Sequence, residues 1–234
     1  MYKEFKKKLI AYIKAKRYLY NLFVRNELKE GFGKIEKHCM ILSNCSIDRP
    51  ENIYMDDYSR LNNLTNFISY KGKLVIKKYT AFGAGCTIVP GTHTPTVGIP
   101  QWLSYLHIND IDGTIVVNED VWVGTSCILL SHCTIGRGAV IGAGSIVTKS
   151  VPPYSVVVGC PAKIIASRFS IEQIIEHEKI LYPEEERMSE DELKELFSKN
   201  FQGMRSIGTS EISEEDRIRL EIEKKKVGII DYSK

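Results

Sequence analysis

Residues 117–151 read VNEDVWVGTSCILLSHCTIGRGAVIGAGSIVTKSV, and every sixth residue from the first is large and apolar: Val117, Val123, Leu129, Ile135, Ile141 and Val147. Working outward, the same spacing runs through Ile76, Phe82 and Ile88, and earlier through Ile35, Ile41, Ile47 and Ile53. All thirteen positions are apolar, where a chain that is 43% apolar would give about six by chance. Four residues after each comes a second column: Cys39, Cys45, Glu51, Asp57, Thr80, Cys86, Thr92, Val121, Cys127, Cys133, Ala139, Ser145 and Val151. Glu51 and Asp57 alone are neither small nor β-branched. Gly follows the apolar residue at Gly83, Gly124, Gly136 and Gly142, which suits a tight bend.

A period of six fits neither an amphipathic helix nor a hairpin sheet. It fits a parallel β-helix, in which each hexad forms one short flat side and its large residue stacks on the equivalent residue of the next coil. Each coil is then stable only against its neighbours. Five of the six cysteines fall in the small-residue column. Their C-x5-C spacing is not that of a zinc or redox motif, so they read as small buried thiols.

The phase breaks twice, between Ile53 and Ile76 and between Ile88 and Val117. The second break holds Thr92, His93, Thr94, Pro95, Trp102, Tyr105, His107, Asp110 and Asp112. A long loop inside a regular solenoid is usually functional. The expected organisation is therefore a helix over 1–30, a β-helix over 31–167 interrupted by a loop at 93–114, and a helical tail over 168–234. Residues 170–181 read as a helix. Ser189 and Glu192 form a capping box for another, and 211–226 read as a third or as a charged tail.

Net charge is +3 over 234 residues but uneven: residues 1–30 carry +6 and residues 166–234 carry −5. That pattern does not make a nucleic-acid stripe. The basic head suits either a cap on the coil column or contact with an anionic membrane surface. No apolar run approaches the roughly 20 residues of a bilayer span, and no secretory signal follows the N-terminus, so the expected location is the cytoplasm.

Three segments carry a more specific signal: Val121-Trp122-Val123-Gly124, the run from Cys133 to Lys149 (CTIGRGAVIGAGSIVTK), and Val158-Gly159-Cys160-Pro161-Ala162-Lys163. Together they closely resemble the hexapeptide-repeat acyltransferases, and within them the galactoside, maltose and polysaccharide O-acetyltransferases. The resemblance covers about residues 35–165. It implies a left-handed parallel β-helix, a homotrimer with active sites between subunits, and acetyl-CoA as co-substrate without a metal. It also implies roles, position by position. Thr125 and Ala143 match positions along the pantetheine. Thr148, Lys149 and Lys163 match positions at the nucleotide end. Trp122 and Asn63 match positions near the acceptor, with a saccharide expected there.

Acetyl transfer from a thioester to an alcohol needs a base for a weakly acidic hydroxyl, and a neutral imidazole suits that task. Of the five histidines, His93 stands where the ladder stops and the loop starts, and it matches the histidine preceding the loop in the resembled family. His93 is therefore the expected general base, with His107, deeper in the loop, the next candidate. The alternatives are an N-acetyltransferase acting on an amino sugar or xenobiotic, and a non-catalytic trimeric scaffold. A zinc lyase on the same fold needs a close pair among three histidine ligands, a pattern these five do not show.

Overall fold

A computed structural model describes residues 8, 11–13, 15–16 and 31–233. The six described residues before 31 are helical and exposed; the rest of the helix expected over 1–30 lies outside the described residues. From Lys34 the chain winds through short strands on three faces. The first face stacks Lys34–Ile35, Ile53–Met55, Lys73–Ile76, Thr114–Val117 and Thr134–Ile135. The second stacks Met40–Ile41, Arg60–Leu61, Ala81–Phe82, Trp122–Val123, Val140–Ile141 and Ser155–Val158. The third stacks Ser46–Ile47, Asn66–Phe67, Thr87–Val89, Ile128–Leu130 and Ile146–Val147. Neighbours on each face pair in parallel, and the described residues form a parallel β-helix.

The register places like on like. Val117 pairs with Ile135, Val123 with Ile141 and Leu129 with Val147, and all six are at most 1% exposed. Burying each such side chain contributes about 1.5–3 kcal/mol. At the corner between the second and third faces, a Cβ on Gly124 would lie 2.6 Å from the Ala143 nitrogen. Only glycine lets the next coil approach that closely.

One step of the sequence ladder is corrected. Ile35 pairs with Met55, not Ile53, and Ile53 pairs with Leu74. The ladder therefore continues through Met55, Leu61 and Phe67, a full coil inside what the spacing treats as a break. A single 3-10 turn at Pro50–Asn52 absorbs the two extra residues. With that shift the small column passes through Ser59 and Thr65, both buried, and the two misfits disappear: Glu51 is exposed and Asp57 half-buried.

The column ends where Lys163–Ser167 folds back antiparallel on Ser155–Val158. Helices α1 (Ile171–Leu181) and α2 (Glu190–Asn200) follow, each with a capping box, Ser170 with Gln173 and Ser189 with Glu192. They bury a second small core around Tyr154, Ile174 and Leu193. Buried Glu178 joins it to the coils: Tyr154 Oη–H donates to its Oε1 (2.7 Å), the Met188 N–H donates to its Oε2 (2.6 Å), and Arg137 lies 3.4 Å away. Helix α3 (Glu214–Val227) buries no residue and is tied by Tyr58 Oη, which donates to the carbonyls of Val227 and Gly228. No helix among the described residues is long and apolar enough to cross a membrane.

Leu129 is fully buried at mid-column between Ile88 and Val147. Leu129→Ala is expected to cost about 2–5 kcal/mol of stability in chemical denaturation, and a loss under about 1 kcal/mol would contradict the stacked core.

Candidate active site

The inserted loop leaves the third face after Val89 and rejoins the first face at Thr114. A short antiparallel ladder closes its neck, with Gly91 opposite Asp112 and Thr92 opposite Ile111, and the Gly113 N–H donates to the Pro90 carbonyl (2.8 Å). His93 follows the outgoing strand directly, and Asp110 precedes the incoming one. The neck thus sets two chemically active side chains opposite each other. A 3-10 helix, Gln101–Leu106, ends at His107, whose left-handed backbone (φ 53°) turns the chain back toward the neck.

Three side chains meet there. His93 Nδ1 lies 2.9 Å from Asp110 Oδ2 and 3.1 Å from Oδ1, and His107 Nδ1 lies 2.8 Å from the same Oδ2. Burial works against the charge on Asp110, whose side chain is 10% exposed. The hydrogen bonds from His107 and then His93 outweigh it and hold the carboxyl below the usual carboxylate range. An ionised carboxylate only accepts, so each Nδ1 donates its proton to Asp110. Each Nε2 is then left as an acceptor in the neutral ring. His93 is half exposed, while His107 stacks face to face on Tyr70, with centroids 3.8 Å apart. A groove of about 540 Å³ opens beside them, lined by Asp48, Arg49, Tyr70, Thr92, His93 and His107. The loop tip exposes Val97, Trp102 and Tyr105.

The other sequence-predicted residues do not gather around His93 within one chain. Asn63, Thr125 and Ala143 stack on the corner between the second and third faces: Gly85 N–H donates to the Asn63 carbonyl, Ser126 N–H to Ala84 and Gly144 N–H to Thr125. All three site residues are exposed. His93, Thr148 and Lys149 follow strands of the third face and so lie toward the next corner. Trp122 is 42% exposed on the outside of the second face. Lys163 begins the closing antiparallel strand, opposite Val158, and is exposed. Sequence reasoning gave no role to Asp110 or Tyr70. The i, i+3 spacing of His107 and Asp110 was the available signal; the stacking of Tyr70 depends on the loop folding back and leaves no trace in local sequence.

Residues 114–149 match the family model described as bacterial transferase hexapeptide (six repeats). Residues of this chain are 44% identical over 75 residues to a chloramphenicol acetyltransferase of Klebsiella aerogenes, covering 32% of this chain and 36% of that protein. The chain thus spans about a third of the length of that curated relative. The fold is similar to that of a hexapeptide-repeat-containing acetyltransferase from Vibrio cholerae O1 biovar eltor, solved in complex with acetyl-CoA. The two are 23% identical with a TM-score of 0.54, covering 67% of this chain and 79% of that one. It is also similar to a maltose O-acetyltransferase from Clostridium difficile 630, at 26% identity and a TM-score of 0.53, covering 62% and 75%. Within the coil column, residues 114–149 thus match bacterial transferase hexapeptide repeats, and the parallel faces of the column fit a left-handed β-helix.

A depressed carboxyl pKa stabilises the folded loop at pH above the unfolded-state value, and that contribution disappears as pH falls through the depressed value. Replacing His107 by Phe removes one donor to Asp110. The Asp110 carboxyl, followed by ¹³C NMR, is expected to titrate at higher pH in His107→Phe than in the native chain; an unchanged midpoint would contradict the shared hydrogen bonds.

Proposed function

We propose that the protein is an acetyl-CoA-dependent O-acetyltransferase whose acceptor is a saccharide hydroxyl, with His93 as general base. The observation that carries the reading is the His93–Asp110 pair at the root of a loop inserted in a hexapeptide-repeat column. Asp110 takes the Nδ1 proton of His93 as a hydrogen bond and so fixes the tautomer with Nε2 free. His93 Nε2 removes the acceptor hydroxyl proton as the oxygen attacks the thioester carbonyl. The tetrahedral intermediate then collapses, the C–S bond breaks, and the imidazolium returns the proton to the departing CoA thiolate. Asp110 is a positioning residue that also stabilises the imidazolium. Direct attack needs both substrates held together, so positioning supplies much of the remaining rate.

The donor site is proposed along Thr125 and Ala143, where an extended pantetheine takes main-chain hydrogen bonds, with Thr148, Lys149 and Lys163 toward the CoA phosphates. One chain carries the Thr125–Ala143 corner and the His93 loop on different edges. A homotrimer, in which the loop of one copy faces the corner of its neighbour, completes the site. Asn63 and Trp122 are proposed to face the acceptor. Acetyl-CoA as donor favours a cytoplasmic reaction. Basic residues 1–30 remain a candidate contact with an anionic membrane surface.

A second reading, acetylation of a xenobiotic, is favoured by the likeness to a chloramphenicol acetyltransferase over 75 residues. Mass spectrometry of sugars, amino sugars and chloramphenicol incubated with enzyme and acetyl-CoA separates the readings. His93→Ala is expected to lower the transfer rate by about 10²–10⁴-fold with CoA binding nearly unchanged. A variant that keeps more than about a tenth of the rate would overturn His93 as base.

A further inference from the structure

We propose that His93 Nδ1, His107 Nδ1 and Asp110 Oδ2 form a binding site for one divalent zinc-type ion, and that the bound ion switches off acetyl transfer. The first half stands on the geometry alone. The second rests on the reading of His93 as base.

A ligand atom of each of the three residues lies within 4.8 Å of the others, and the Nδ1 atoms of His107 and His93 approach Asp110 Oδ2 at 2.8 and 2.9 Å. They are the only such group among the described residues. Two imidazoles and one carboxylate are the donor set that zinc, nickel or copper prefers over magnesium or calcium. Around a tetrahedral ion with bonds of about 2.0–2.1 Å, neighbouring ligand atoms sit about 3.4 Å apart. The two nitrogen–oxygen contacts must therefore open by roughly half an ångström. The site can do this without being dismantled: His93 is half exposed, so its ring has room to shift by that amount, the neck ladder holds the backbone on both sides, and Tyr70 stacks on the His107 ring. The exposed side of His93 leaves room for water as the fourth ligand.

Metal binding and base catalysis exclude each other at His93. A neutral imidazole carries one ring proton. In the metal-free arrangement that proton is on Nδ1, donated to Asp110, and Nε2 has the free lone pair. An ion needs the lone pair on Nδ1 itself, so the Nδ1 proton of His93, and likewise that of His107, must move to Nε2. His93 then offers a donor where the acceptor hydroxyl needs a base. No proton is lost overall; it changes nitrogen.

The test uses the full chain without a histidine tag. Isothermal titration with zinc chloride, and the absorption spectrum with cobalt(II), read binding without reference to activity. One ion per chain is expected, with cobalt bands lacking the thiolate charge-transfer signal of a cysteine ligand. His107→Phe keeps a ring for Tyr70 but no ligand atom. It should weaken binding by more than about 100-fold, since even losing a partner outside the ligand set costs ~10–100-fold. Asp110→Asn is the second variant, and circular dichroism checks that both fold. Absence of stoichiometric binding, binding that survives both variants, or a thiolate signal would overturn the site. Acetyl transfer should fall with the same zinc midpoint and return on adding a chelator. If zinc binds with this ligand dependence and transfer continues, the site stands and His93 as base falls.

Discussion

Everything in this molecule depends on one constraint: each inward side chain of a coil must rest on its counterpart in the coil below. The parallel pairing of Val117 on Ile135 and Leu129 on Val147 fixes that stacking. No coil can bury its apolar residue alone, so the column tolerates extra residues only at its corners. There they can bulge outward without shifting the register. The 3-10 turn at Pro50–Asn52 and the long loop after Val89 are two uses of the same freedom. The first changes nothing but the path. The second carries the chemistry.

Because the loop is pinned at a corner by two paired residues on each side, its root is rigid while its tip is exposed. The residues beside the neck inherit the precision of the column. A single carboxylate, Asp110, then organises two imidazoles, one half exposed to a groove and one stacked on Tyr70. That sharing gives His93 its orientation for base catalysis, and it also gathers the donors a metal ion would use. The distance between this root and the Thr125–Ala143 corner is set by the width of a face, which is why a complete site is proposed to need a second copy.

The repeat was legible because stacking demands the same residue type at the same phase, and twelve of the thirteen spaced positions obey it. The coil through Met55, Leu61 and Phe67 escaped because a two-residue insertion moved its phase, and phase is all that such reading detects. The capping boxes at Ser170 and Ser189 are local; the one at Ser189 was readable from sequence, while 170–181 was read as a helix without its cap. His93 stood out by its place at the end of a hexad. Asp110 did not, since its importance arises only when the neck closes and sets it against His93. Contacts made by a loop folding back on itself have no period to read.

The tautomer of His93 tests the account most directly. Nitrogen-15 NMR of the metal-free protein near neutral pH distinguishes a protonated ring nitrogen from an unprotonated one. In the neutral form of the His93 ring, the proton is expected on Nδ1, held by Asp110, with Nε2 unprotonated. A neutral His93 with its proton on Nε2 would contradict the account, because that ring could neither donate to Asp110 nor accept a proton from a substrate hydroxyl.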